Sequence, residues 1–388
     1  MPRLPLAAGI ACLLLTSVLA AQAVLPLDLF QNQNPAPHSL LGTEISDLKW
    51  SGRYLWVATE RGLARLDPAL SQGLSPANWV TYTQEQGLGR GAVSAVDAVG
   101  DTVWVATLFD TTVVGVGDFQ VGSGLSFSSD AGQTWRHITN EAIFDTSKTG
   151  FYRGPTTPIQ NACFGLGISG STVWATFFAG SLVRSPDLGQ SWERVLPDRA
   201  DSIIYFPTEN APLVESLRAL ADSIERAGEP AERVALARAQ ADSLIDQAGL
   251  HRTFAVLTYG DTVWLGTGSG IARSFDGGRT WANHKVRLDA GGNLLPGNIS
   301  GNGVVALKRQ LLPDGRSVIW AGTRAIGAVS GERDGISFSL DKGQTWQITG
   351  PTYAWDFAFS QNKVWASTGQ GLYASADQGL TWEQVVVR

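Results

Sequence analysis

Phe254-Ala-Val-Leu-Thr-Tyr-Gly-Asp-Thr-Val-Trp-Leu-Gly-Thr-Gly-Ser-Gly-Ile-Ala-Arg-Ser-Phe-Asp-Gly-Gly-Arg-Thr-Trp281 contains almost one whole structural unit. An alternating apolar run, Phe254 to Tyr259, meets the turn Gly260-Asp261, and Val263-Trp264 opens a second strand. A short third strand runs into Ser274-Phe-Asp-Gly-Gly-Arg-Thr-Trp281, after which a fourth begins. Short alternating runs separated by tight turns read as a four-stranded antiparallel sheet, with strands A to D in sequence order.

Both halves of this stretch recur. The pattern Ser-x-Asp-x-Gly-x-Thr/Ser-Trp occurs five times, ending at Trp135, Trp192, Trp281, Trp346 and Trp382. The aliphatic-Trp pair that opens strand B occurs six times, at Trp56, Trp104, Trp174, Trp264, Trp320 and Trp365. A repeat of this kind marks one supersecondary unit that cannot bury its apolar face alone, so the units stack. The first unit lacks the eight-residue box and runs instead from Asp67-Pro68 to Asn78-Trp79. Twelve of the fourteen tryptophans fall at these two fixed places, which makes them packing residues between neighbouring sheets rather than a carbohydrate platform.

Within the box, the aspartates Asp130, Asp187, Asp276, Asp341 and Asp377 are placed to accept backbone N–H groups across a turn, with Ser and Thr adding side-chain bonds. The box glycine suits a left-handed backbone. These aspartates are therefore structural, not catalytic acids or calcium ligands.

The pattern resembles the Asp-box, or bacterial neuraminidase (BNR, sialidase-like) repeat. That repeat is found in sialidases, sortilin-type receptors, xyloglucan-degrading hydrolases and photosystem II assembly factors. Trp56-Val-Ala-Thr-Glu-Arg-Gly-Leu63 is similar to the propeller repeats of two-component sensor ectodomains. The resemblance covers residues 43–388 and implies an all-β propeller of four-stranded blades. It leaves function open, because one fold hosts many activities. Six blades are expected at about 43–84, 90–140, 161–196, 251–288, 301–350 and 352–388. Seven blades are the alternative, and the manner of closure stays open.

Residues 1–23 read as an export leader: Arg3, the apolar run Leu4 to Leu19, and the small-x-small site Ala21-Gln22-Ala23. Cleavage near Ala23 implies a secreted or periplasmic chain, followed by an N-terminal segment at 24–42. No other stretch is apolar and long enough to span a bilayer. Cleavage also leaves one cysteine, Cys163, expected to be a small buried hydrophobe. A formal charge of −6 argues against nucleic acid as a partner. The four scattered histidines argue against a histidine metal site, and neither metal nor cofactor is expected.

Long connections fall on one face, that of the B–C and D–A loops: Leu108 to Gly124, Arg324 to Gly335, Glu141 to Asn161, Arg287 to Ser300 and, longest, 197–250. The A–B turns on the other face are short. Loops that carry function are the long ones on a rigid scaffold, so the decorated face is read as the working face. The 197–250 insertion is read as the only helical part. Leu213, Leu217, Leu220 and Ile224 recur at helical spacing, as do Val234, Ala237, Ala241, Leu244 and Ala248, with Gly228 to Pro230 breaking the two into a hairpin.

Candidate chemistry is sparse. Asp47 and Asp356 hold equivalent strand-A positions, nine residues before their strand-B tryptophans, and Asp97 lies seven before Trp104. In a ring, blades 6, 1 and 2 are neighbours, so the three carboxylates line one side of the channel. Arg153, Arg252 and Arg324 are candidate ligand-binding cations, and Asp118, Glu332 and Asp334 are candidate loop acids. The reading is a non-catalytic binding or scaffolding propeller with a protein partner or glycan on the decorated face. The alternative is a polysaccharide-active glycoside hydrolase, xyloglucanase-like or sialidase-like, which needs two carboxyl groups across a cleft.

Overall fold

Gly260, at φ 54°, turns strand A of blade 4 (Thr253–Tyr259) into strand B (Thr262–Thr267), a backbone angle that a side chain would resist. The same hairpin logic builds every blade of the computed structural model, which describes residues 42, 44–67, 78–113, 117–144, 161–178, 180–195, 207–238, 240, 252–326, 331–360 and 363–385. Six separate four-stranded antiparallel sheets form, each with its strands in sequence order. The protein is a six-bladed β-propeller. The innermost strands A are Ile45–Ser51, Ala92–Val99, Cys163–Ser169, Thr253–Tyr259, Gly303–Leu311 and Ala354–Ser360.

The box is a closed hydrogen-bond unit. In all five copies the Ser hydroxyl donates to the Asp carboxylate at 2.7–2.8 Å and accepts the Gly N–H at 2.7–2.8 Å. The second carboxylate oxygen accepts the Thr or Ser hydroxyl at 2.5–2.6 Å. Two successive residues adopt the left-handed conformation, as at Lys342 (φ 58°) and Gly343 (φ 75°). A Cβ on Gly343 would stand 2.6 Å from the Trp264 ring of the preceding blade, so the glycine also permits close approach between blades.

That approach is the inter-blade joint. The strand-B tryptophans of blades 1 to 5 are 0–2 % exposed. The box tryptophan of the next blade meets them edge to face: Trp56–Trp135 at 6.4 Å, Trp104–Trp192 at 6.0 Å, Trp264–Trp346 and Trp320–Trp382 at 6.2 Å. Trp281 packs on the cluster holding Trp174. Arg65, Arg184 and Arg273 on strands C of blades 1, 3 and 4 add guanidinium bonds to the box carbonyls of Ala131, Gly277 and Lys342 in the next blade. Large aromatic areas leave water here, with a further gain from ring geometry.

The joint between blade 6 and blade 1 differs. Blade 1 has no box, and blade 6 carries Ala374 opposite Trp365 where blades 1, 3 and 4 carry arginine. Trp365 is only partly buried. The Val57, Ala64, Leu66 and Trp79 cluster holds residues of blade 1 alone.

Three expectations are corrected. A helical turn, Asn140–Ile143, capped by the Thr139 hydroxyl, lies outside the 197–250 insertion, and its Ile143 and neighbouring Phe144 are buried in the blade 2–3 core. Four residues are too few to show a helical period. The long B–C connection of blade 2 is not an irregular loop. Its strands extend to Thr102–Val113 and Gly117–Ser128, paired out to Val113 and Gly117. The A–B turn of blade 5, between Leu311 and Ser317, is longer than its counterparts.

The hairpin is present in its described part: a helix over Pro207–Arg226, a break at Gly228 (φ 70°), and helical residues 231–238. Ala221, Val234 and Ala237 are buried together with Ile224 packed against them, and Arg238 bonds Glu225 at 2.7 Å. Leu220, expected on the buried stripe, is 50 % exposed; Ala221 takes the inward place. Residues 1–41, Arg153, Ala241, Leu244 and Ala248 lie outside the described residues. No helix among the described residues is long and apolar enough to cross a membrane.

Candidate functional site

Strands A surround a central cavity of about 1050 Å³. Its lining reaches the starts of strands A, as at Ile45, Phe164 and Phe254, and the B–C connections, as at Glu60, Leu108 and Ile326. It therefore extends to the decorated face.

Residues of both strand-A parities reach it, and the charged ones follow one register. The strand-A residue opposite the strand-B tryptophan is Lys49, Asp97, Gly167, Leu257, Lys308 and Ala358 in blades 1 to 6. Two residues before lie Asp47, Ala95, Gly165, Ala255, Ala306 and Asp356. Charge is thus confined to blades 5, 6, 1 and 2. Blades 3 and 4 contribute Phe164, Leu166, Ile168, Phe254 and Leu257 to the opposite wall.

All three strand-A carboxylates line the cavity, and each is engaged. Asp97 is 8 % exposed, accepts the Ile168 N–H of blade 3 at 2.7 Å, and is ion-paired with Lys49. Asp47 accepts the Val96 N–H of blade 2 at 3.0 Å and its neighbour Leu48 N–H at 2.8 Å. Asp356 pairs with Lys308 of blade 5 at 3.2 Å. Each aspartate of blades 1 and 2 therefore also fastens its blade to the next.

Burial among the strands A pushes the Asp47 carboxyl up to about 6, against the attraction of Lys308 and the Val96 N–H, with Asp356 adding to the rise. Burial works against the Lys308 ammonium, but Asp356 and then Asp47 outweigh it, so its pKa is raised. Lys308 thus acts across the gap between blade 6 and blade 1, on carboxylates of both. A carboxyl that changes protonation near pH 6, in a cavity, can give or take a proton.

The remaining candidates separate. Arg324 lines the cavity, its guanidinium 4.6 Å from the Tyr353 ring centre and 5.7 Å from that of Trp355. Arg252 is exposed just before strand A of blade 4 and is not part of the lining. Glu332 bonds Asn302 and the Ile326 N–H, and Asp334 accepts the Ala325 N–H at 2.9 Å, so both shape the blade 5 loop. Asp118 accepts the Thr112 hydroxyl at 2.7 Å on the blade 2 hairpin. Cys163 is buried, and burial pushes its thiol up to about 12.

Sequence reading overlooked the two lysines. Lys49 lies seven residues before Trp56, the spacing of Asp97 to Trp104, and could have been found. Lys308 lies twelve before Trp320, because the longer A–B turn of blade 5 hides the register.

No family model matches the chain, and no curated protein matches it. Similar folds occur among solved structures. YCF48 bound to D1 peptide is 16 % identical, with 91 % of this chain and 86 % of that one covered, at a TM-score of 0.44. The extracellular domain of a putative one-component system, BT4673 of B. thetaiotaomicron, is 12 % identical at a TM-score of 0.49. There 88 % of this chain covers 36 % of that one. The Niastella koreensis GH74 enzyme is 14 % identical at a TM-score of 0.49, with 90 % of this chain covering 46 % of that one. The chain spans less than half the length of the last two. These likenesses concern the fold.

Proposed function

We propose that the protein is an exported, non-catalytic binding propeller that takes a protein partner on its decorated face, at the mouth of the channel. One observation carries this reading: every strand-A carboxylate in the cavity already serves a neighbouring blade's N–H or a lysine. The cavity wall is divided into an apolar half on blades 3 and 4 and a charged half on blades 5, 6, 1 and 2. Such a wall suits an extended segment with apolar and charged side chains. The hairpin, which leaves from blade 3 and returns to blade 4, keeps Leu220 and Leu236 50 % and 61 % exposed. Exposed leucines on an added element favour a protein over a glycan.

A hydrolase reading is favoured by one feature, the Asp47 carboxyl raised to about 6 on the same wall as Asp356. The two readings part in a single experiment. The purified protein is screened against a polysaccharide panel for new reducing ends and against a random-peptide display library for binding. Peptide binding that weakens at least tenfold in Arg324→Ala, without turnover, is expected. Turnover that disappears in both Asp47→Asn and Asp356→Asn would establish the hydrolase instead.

A further inference from the structure

The joint between blade 6 and blade 1 leaves apolar side chains bare at positions that are covered elsewhere. Leu48, opposite Val57 on strand B, is 45 % exposed. The residues at its register in blades 2, 3, 5 and 6, Val96, Leu166, Leu307 and Phe357, are 4–8 % exposed. Trp50, two residues on, is 56 % exposed where Ala98 and Ile168 of blades 2 and 3 are 2 % and 7 %. Across the joint, Leu372 of blade 6 is 36 % exposed, whereas Leu63 and Leu182 at its register are fully buried. Trp365 and Leu372 line the same cavity as Leu48, so the channel opens sideways into a slot here.

The slot is narrow on the side of blade 1. On the same face of blade 1, Val57, Leu66 and Trp79 of strands B, C and D are only 2–7 % exposed. Bare surface on blade 1 is therefore confined to its inner strand, while on blade 6 it reaches strands B and C at Ser367 and Leu372.

We propose that the chain's own residues 24–41 occupy this slot, laying Leu25, Leu27 and Leu29 against Leu48, Trp50, Trp365 and Leu372. Two residues separate the segment from Glu44 and Ile45, which themselves line the cavity; the Glu44 N–H is held by Glu60 at 3.1 Å. Its eighteen residues can extend about 60 Å, and a seven-residue strand about 23 Å, so it can run out and back. Asn34-Pro35-Ala36-Pro37 supplies turn formers between the halves. Leu25, Leu27 and Leu29 alternate with Pro26 and Asp28, so one face of an extended run is wholly leucine. Pro26 has no N–H for a sheet ladder, so the segment holds by side-chain packing.

Cysteine pairs in the full chain, expressed with its own leader, test the proposal. Leu27→Cys or Leu29→Cys is combined with Leu48→Cys or Leu372→Cys. The native Cys163 is buried and stays unreactive. Mild oxidation is expected to join the new pair within one chain, read as a linked tryptic peptide from monomeric protein. A link between two chains would place a second copy in the slot and overturn the proposal, as would no link in any of the four pairs. As a second readout, Leu27→Asp with Leu29→Asp is expected to increase the tryptophan emission quenched by acrylamide at unchanged far-UV circular dichroism. Unchanged quenching would overturn it too.

Discussion

The aspartates of the box turns and Asp47 of the channel are chemically identical and are treated in opposite ways. In the boxes, the hydroxyl and N–H of Thr134 and Thr381 hold the carboxyls of Asp130 and Asp377 down to about 2. In the channel, burial drives Asp47 up to about 6. The box surrounds a carboxylate with local donors that travel in the same eight residues, so each copy is self-sufficient. The channel assembles its carboxylates from blades distant in sequence and balances them with lysines. Local donors make a fold element; a shared, partly desolvated ring makes a place where something else can bind.

The comparison can be broken most forcefully at the box. Asp341→Ala removes the acceptor for the Thr345 N–H and hydroxyl and the Ser339 hydroxyl, and is expected to destabilise by about 1–3 kcal/mol in denaturant unfolding. Asp47→Asn relieves the buried charge but leaves the Val96 or the Leu48 N–H without its acceptor, so its net effect at pH 7 is expected to lie within about 1–2 kcal/mol of zero. The pH course separates the two classes. Stability from the box acids is present above the ordinary carboxylate pKa and is lost as pH falls through about 2. The Asp47 contribution is complete below the usual 3.8 and is lost as pH rises through about 6. Thermal melts should therefore decline from pH 4 to 6 in the native protein, and Asp47→Asn should flatten that limb while leaving the acid limb in place. Lys308→Met, which removes the attraction opposing the rise, should move the Asp47 limb to higher pH. Asp118→Ala, on the blade 2 hairpin, should change stability by no more than about 0.5 kcal/mol.

What could be read in advance follows the same division. The box residues and the strand-B tryptophans were legible because their bonds close within a few residues. Asp47, Asp97 and Asp356 could be brought to one wall because strand register carries their positions into the ring. Lys308 could not, since five extra residues in its hairpin shift the spacing to Trp320. The Asn140–Ile143 turn was invisible for want of a period, and the loop N–H groups that Glu332 and Asp334 accept carry no sequence signal. The slot was illegible because it arises from what blade 1 and blade 6 lack, a box and the arginine or phenylalanine that faces the strand-B tryptophan in the other blades, and the consequence of a missing contact is spatial.

The one-way joint, in which each blade's tryptophan is covered by the box of the next, also sets how the molecule comes apart. Five such joints link six blades, so cooperativity passes along a line bent into a circle and has two loose ends. Amide protons in strand B of blades 3 and 4 should then exchange only with global unfolding, while those of blades 1 and 6 exchange through partial openings. Protection would rise from the seam to the far side of the ring, as in a helical repeat array.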